Sequence, residues 1–205
     1  MANLKIYGIP KSRAVRVIWM AEELGLAYEN VGVTMADKVH KKPDYLAVNP
    51  NGRLPAIDDN GFRMSESLAI NLYLAKKHGK LYPKSAEDEA RCLQWSHWTV
   101  FEIDNQVNDW AAHDHVLPPD QRDPAKLKAA LEVLTVPLGV LDGVLAKQQY
   151  LVTPDAFSVA DLNVASAMYR LIKMDFGAQK HVGRWYRACW ERPAAKKARD
   201  IRENS

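Results

Sequence analysis

At 205 residues, 47% of them hydrophobic and 26% charged, the chain has enough apolar content for one large or two modest globular domains, which argues against disorder. The formal net charge of +3 is spread along the sequence, so nucleic acid is not an expected partner; the densest basic run, Arg187 to Arg202, is interrupted by Glu191, Pro193 and Asp200 and reads as a solvated helix face. No apolar run is long enough to cross a membrane, and Met1 to Lys5 has neither a basic nor an apolar leader region, so neither membrane nor secretion is expected. Cys92 and Cys189 belong to no CxxC, which suggests neither a disulfide framework nor zinc and fits a reducing, cytoplasmic setting.

Strand and helix signals alternate over the first eighty residues or so, and everything beyond residue 87 reads as helix. Leu4 to Tyr7 alternates and is stopped by Gly8 and Pro10. Ser12 can cap a helix carrying Val15, Ile18, Trp19 and Glu22 and closed by Gly25. Tyr28 to Val33 offers a second strand, and Met35 to Val48 is irregular helix and loop. Strands at Leu54 to Asp58 and Phe62 to Met64 are joined through Asp58-Asp59-Asn60-Gly61, where Asn-Gly tolerates the positive φ of a tight hairpin. Glu66 to Lys77 is a third helix ending near Gly79. The order predicts a mixed four-stranded sheet flanked by helices, βαβαββα, over residues 1–80. A linker at 81–87 contains Pro83, and an all-helical domain over 88–205 has helices near 87–114, 123–149, 158–173, 178–191 and 194–203.

Several motifs in this order resemble the cytosolic glutathione transferases of the serine type. They are Lys5-Ile6-Tyr7-Gly8 followed by Ser12-x-x-x-Arg16-Val17; Asn49-Pro50-Asn51-Gly52-Arg53-Leu54-Pro55-Ala56-Ile57; Glu66-Ser67-Leu68-Ala69-Ile70; and Phe157-Ser158-Val159-Ala160-Asp161-Leu162. The resemblance implies a thioredoxin-like first domain that binds glutathione and a helical domain that receives the second substrate. It also implies a homodimer and a role in detoxification.

The tripeptide's handles match residues in these motifs. Leu54 before a cis Pro55 would turn its backbone toward the cysteinyl peptide, where an ordinary trans proline is the plainer alternative. Glu66 and Ser67, at a strand-to-helix junction, would face the γ-glutamyl ammonium and carboxylate, although Ser65 or Ser67 can also cap the helix. The resemblance puts His40, Lys41 and Arg53 near the glycine carboxylate.

Ser12 is the expected donor to the glutathione sulfur, with Tyr7 as the competing residue, because other classes of the family use a tyrosine from the first strand. Lys11, Ser12, Arg13 and Ala14 include no thiol, which disfavours protein-disulfide exchange. The expected reaction is thiolate attack on a small hydrophobic electrophile, with glutathione as co-substrate and no metal or other cofactor. Glutathione-dependent peroxidase, isomerase or dehalogenase activity, or a non-catalytic glutathione-binding module, are the alternatives. On the helical side the resemblance offers Trp98, Glu102, Asn105 and Gln106 as electrophile-site positions, although Trp95 and Trp98 at i, i+3 also suit a core. His113-Asp114-His115 places two histidines that point apart at a helix end, and no metal is read from it. Ser158-x-x-Asp161 reads as a capping box with a structural role.

Overall fold

The computed structural model describes residues 3–205, with the side chain of Asp37 set aside. Met1 and Ala2, at the start of the expected first domain, lie outside the described residues. The chain divides into two compact units, one running to Tyr82 and including Glu191–Ser205, the other Pro83–Trp190. The expected boundary therefore shifts: the last helix, assigned to the helical domain on sequence, groups with the first unit.

In the first unit, β1 (Leu4–Tyr7) pairs parallel with β2 (Tyr28–Val31) and antiparallel with β3 (Ala56–Asp59), which pairs antiparallel with β4 (Phe62–Ser65). The sheet order is β2-β1-β3-β4. Only Asn60 and Gly61 separate β3 from β4, at φ of 54° and 90°, as the Asn-Gly signal predicts. Strand β2 stops at Val31, two residues short of expectation, because the Val33 N–H folds back onto the Val31 carbonyl at 2.7 Å.

Alternation decides the faces of the sheet. Leu4, Ile6 and Ile57 are buried on one side, with α1 (Val15–Leu24) and α3 (Ser67–His78) packed together among the helices of this unit. On the other, Val33, Tyr45 and Ala56 form a core with Tyr7 and Leu54 against it. Tyr45 comes from α2 (Pro43–Leu46), which follows a 3-10 segment at Ala36–Lys41. Helix α1 is buried almost all round, from Val15 to Ala21, rather than along one stripe. The cause is α9 (Pro193–Glu203), which packs along it and ties to it through Arg192–Glu23 at 2.6 Å and Lys197–Glu22 at 2.8 Å.

The second unit is helical, and among the described residues no helix is long and apolar enough to cross a membrane. The single helix expected over 87–114 is instead α4 (Ala86–Trp98), a π-helical turn at Thr99–Ile103, α5 (Asp104–Ala111) and a second such turn at Ala112–Val116. Ser96 and Thr99 donate to carbonyls four residues back, at 2.8 and 2.7 Å, and such bonds compete with the helical ladder and bend it. Helix α6 (Pro124–Leu145) ends four residues early, because Arg184 takes the Leu145 and Gln148 carbonyls at 2.7 and 3.0 Å. Helix α7 (Val159–Ala167) also stops short, where the Tyr186 hydroxyl of α8 (Lys180–Trp190) takes the Met168 carbonyl at 2.7 Å.

The centre of this unit is Asp161, fully buried and accepting from the Ser158 N–H and hydroxyl, the Leu151 N–H and the Trp185 indole, each at 2.9 Å. Burial raises its pKa and these donors pull it back down. Asp161→Ala would leave the indole and two amides without an acceptor. It is expected to cost about 3 kcal/mol and lower the thermal midpoint by roughly 10 °C in calorimetry. A midpoint within two degrees of wild type would show that the network does not hold the unit together.

Candidate functional site

The residues singled out on sequence for the tripeptide all fall in the first unit, around the C-terminal end of β1. After β1 the chain turns at Gly8 (φ +130°) and then winds through Pro10–Ala14, broken at Ser12, whose backbone is extended at φ −91° and ψ −173°. The Ser12 hydroxyl donates to the Ile9 carbonyl at 2.7 Å and accepts from the Ala14 N–H at 3.1 Å. It thus caps the turn that leads into α1, as its residue type predicts. Gly8 leaves the room: a Cβ there would lie 3.2 Å from Ser12 Oγ and 3.6 Å from Leu54 Cβ. The serine hydroxyl and the Leu54 segment therefore face each other across a glycine.

Leu54-Pro55 is cis, and among the described residues no hydrogen bond takes up the Leu54 N–H or carbonyl. The segment before it is braced through the Arg53 carbonyl, which accepts from the Tyr45 hydroxyl at 2.6 Å and the Asn49 amide at 2.7 Å. Asn49 is buried, and its own oxygen accepts the Asn51 N–H at 3.1 Å, closing the loop. Sequence reading gave neither Tyr45 nor Asn49 a role; Asn49 stood in the quoted motif, but nothing in a linear pattern shows that its amide braces Arg53.

Three basic groups gather beside this loop. His40 is only 8% exposed and its Nδ1 has no partner among the described residues, while the Lys41 ammonium donates to the Asn51 carbonyl at 3.0 Å. Arg53 is exposed. Gly52 lets the two segments meet: at φ +54°, a Cβ would come 2.7 Å from the His40 carbonyl and 2.9 Å from the Lys41 side chain.

Across the sheet, Glu66 is the residue before α3 and holds φ 71°, ψ 102°, a conformation seldom adopted outside glycine. Among the described residues no side chain caps α3, so the capping role considered for Ser65 or Ser67 is not what the structure uses. Ser67, 6% exposed, sits at the uncapped positive end of a twelve-residue helix, which is suited to a carboxylate.

Tyr7, the competing residue, is half-buried: its ring packs on Tyr45 with centroids 6.0 Å apart, against the core beneath the loop, and among the described residues its hydroxyl makes no hydrogen bond. The basic run read as a solvated face is corrected in part: Arg187, Lys196 and Lys197 are exposed, but Arg192 pairs with Glu23 of α1, and Arg202 reaches the Ser12 segment, donating to the Pro10 carbonyl at 2.9 Å and the Ser12 carbonyl at 3.3 Å.

Within the second unit, Trp98 is half-buried and packs edge-on against Trp95, with ring centroids 5.1 Å apart, while Glu102 and Asn105 are exposed. Of the four acceptor-side positions only Gln106 lines the pocket of 380 Å³ between α5 and α6, alongside Asp109, His113, Lys126 and Val133. His113 accepts the Asp123 N–H at 3.2 Å and His115 faces Asp114, so the two rings take separate partners. Neither cysteine offers a rival thiolate: Cys189 is buried, and burial pushes the Cys92 thiol up to about 11.

The chain is similar to known proteins in sequence and fold. The family model for the glutathione S-transferase N-terminal domain matches residues 2–76, and that for the glutathione S-transferase C-terminal domain matches residues 110–193. Glutathione S-transferase GstB of Escherichia coli K12 is 30% identical over 194 residues, covering 89% of this chain and 90% of that protein. Glutathione S-transferase 3 of Zea mays is 34% identical over 209 residues, covering 96% and 93%. The theta class glutathione S-transferase of Xanthomonas axonopodis pv. citri, solved with glutathione bound, superposes with a TM-score of 0.88 at 31% identity over 97% of both chains. A thioredoxin-like unit with a cis-proline loop, followed by a helical unit, is the architecture of the transferases that use glutathione. The chain belongs to the cytosolic glutathione transferase family.

Gly52 gives the site its first test. Gly52→Ala is expected to cost about 1–3 kcal/mol and to shift the His40 and Lys41 amide resonances, read from the urea midpoint and a heteronuclear spectrum. A variant with wild-type midpoint and shifts would show that the two segments part freely.

Proposed function

We propose that the protein ionises the thiol of glutathione with Ser12 and directs the thiolate onto small hydrophobic electrophiles, with no cofactor beyond the tripeptide itself. The observation that supports this most is that the Ser12 hydroxyl and the Leu54 side chain both border Gly8, with the Leu54 backbone unpaired among the described residues. A peptide that pairs with Leu54 as an added antiparallel segment brings its cysteine side chain toward Ser12. His40, Lys41 and Arg53 then take the glycine carboxylate, and the partnerless His40 Nδ1 supports a ligand at that end. Ser67 and the open end of α3 take the γ-glutamyl carboxylate, with Glu66 toward the ammonium. Gln106, in the wall of its pocket, is the acceptor-side position favoured over Trp98, Glu102 and Asn105. A cytoplasmic homodimer active in detoxification completes the reading.

The energetics fit an ionised sulfur. A cysteine thiol titrates near ~8.5, and each unit of lowering asks for about 1.4 kcal/mol. A neutral hydrogen bond contributes about 0.5–1.5 kcal/mol and one to a charged group about 1.5–3. Turning the Ser12 proton from the Ile9 carbonyl to a thiolate therefore gains about 1 kcal/mol, whereas a neutral thiol, a weak acceptor, gives no such gain. The start of α1 adds about 0.3–1 kcal/mol. Together these lower the thiol by about 1–1.5 units, to roughly 7–7.5.

The test is the thiolate absorbance at 240 nm on glutathione binding, followed across pH. Wild type is expected to titrate at roughly 7–7.5; Ser12→Ala should move the curve about one unit upward and lower turnover of chlorodinitrobenzene at pH 6.5 about tenfold. Because the depressed pKa keeps thiolate present below neutrality, the rate profile of Ser12→Ala moves the same way, losing most at low pH. Tyr7→Phe should leave both unchanged. If Tyr7→Phe moves the titration and Ser12→Ala does not, the roles are reversed. Turnover of cumene hydroperoxide without turnover of chlorodinitrobenzene would make the enzyme a peroxidase on the same thiolate.

A further inference from the structure

We infer that Arg202 of α9 is a positioning residue for the serine segment, acting on the sulfur only through Ser12; the inference rests on the reading of Ser12 given above. One nitrogen of its guanidinium, Nη1, donates to the Pro10 carbonyl at 2.9 Å and to the Ser12 carbonyl at 3.3 Å. These two carbonyls flank the residue pair in which the backbone leaves helical geometry, at φ −91° and ψ −173° for Ser12. Within the segment the Ser12 N–H donates to the Ile9 carbonyl at 2.9 Å and the Val15 N–H reaches the Ser12 carbonyl, local bonds that leave the plane after Pro10 to be fixed from elsewhere. Arg202 adds to these from outside: a trans peptide holds its C=O and N–H in opposite directions, so anchoring the Pro10 and Ser12 carbonyls toward α9 turns the Lys11 and Arg13 amides to the other side.

The anchor is built to be rigid. Guanidinium is always charged and its donors are fixed in a plane. The helix that carries it is held along α1 by Arg192 on both Glu23 oxygens at 2.6 and 2.7 Å, and by Lys197 on Glu22 at 2.8 Å. Ser12 must turn its hydroxyl proton from Ile9 to sulfur without the backbone following, since any drift of Oγ lengthens the bond to a thiolate. The distant end of the chain thus fixes the geometry on which thiol ionisation depends, while His40, Lys41, Arg53 and Ser67, on other segments, are left as they are.

Four variants test this: Arg202→Ala, Arg202→Lys, Ser12→Ala and the double variant Ser12→Ala/Arg202→Ala. Bound-thiol titration at 240 nm and steady-state kinetics are measured for each, with Asp161→Ala as a control that loosens the fold away from α9. Arg202→Ala is expected to raise the thiol pKa by half a unit or more and to lower kcat about fivefold, with KM for glutathione within twofold of wild type. Arg202→Lys should shift in the same direction by less. The double variant should be no worse than Ser12→Ala, because the effect passes through one hydroxyl. Asp161→Ala should lower the thermal midpoint with the thiol pKa unmoved.

A wild-type thiol pKa in Arg202→Ala, or losses that add in the double variant, would overturn the inference while leaving Ser12 in place. If Arg202→Ala does not fold, Arg202→Lys decides in the same way. An unchanged titration in Ser12→Ala overturns the reading of Ser12 itself, and is distinguishable because it appears with Arg202 intact.

Discussion

A serine hydroxyl has one proton to give, and in this protein the Ser12 proton lies on the Ile9 carbonyl, 2.7 Å away. Everything proposed for the chemistry depends on that bond being exchangeable for a better one. The exchange favours an anion, because a charged acceptor outbids a carbonyl and a neutral thiol does not. The same oxygen accepts the Ala14 N–H at 3.1 Å, so the cap on the approach to α1 survives while the proton turns. In the proposed chemistry capping and thiolate stabilisation are two uses of one group, with lone pairs serving the fold and the hydrogen serving the ligand.

Around that hydroxyl the first unit arranges its openings by backbone conformation more than by side-chain choice. Gly8 and Gly52 adopt positive φ where a Cβ would strike a neighbour, and Glu66 adopts it without glycine's freedom. Among the described residues the Leu54 backbone is unpaired and α3 begins without a side-chain cap. Each of these features leaves polar backbone available where a compact domain would ordinarily consume it. The concentration of such places at one end of one sheet is the strongest structural support for a peptide-like ligand.

The sequence displayed this fold well where local chemistry dominates. Asn60-Gly61, Gly25 and Gly79 mark a hairpin and two helix ends through φ preference alone, and the alternation of β1 separates Leu4 and Ile6 from Tyr7. It failed where long-range partners set the outcome. Nothing near Leu145 or Met168 reveals that Arg184 and Tyr186 will take their carbonyls and end the helices early. The basic α9 carries no local signal that its charges face α1, since the carboxylates they meet are some 170 residues away. Of the site, motif residues could be named in advance; their bracing by Tyr45, Asn49 and Arg202 could not, because a brace is defined by what it reaches.

The most direct test is a crystal structure of the protein with glutathione bound. The account requires the sulfur within about 3.5 Å of Ser12 Oγ, the cysteinyl peptide paired with the Leu54 backbone, and the Tyr7 ring still packed on Tyr45. A tripeptide bound with its sulfur turned to the Tyr7 hydroxyl, and Ser12 still donating to Ile9, would contradict it.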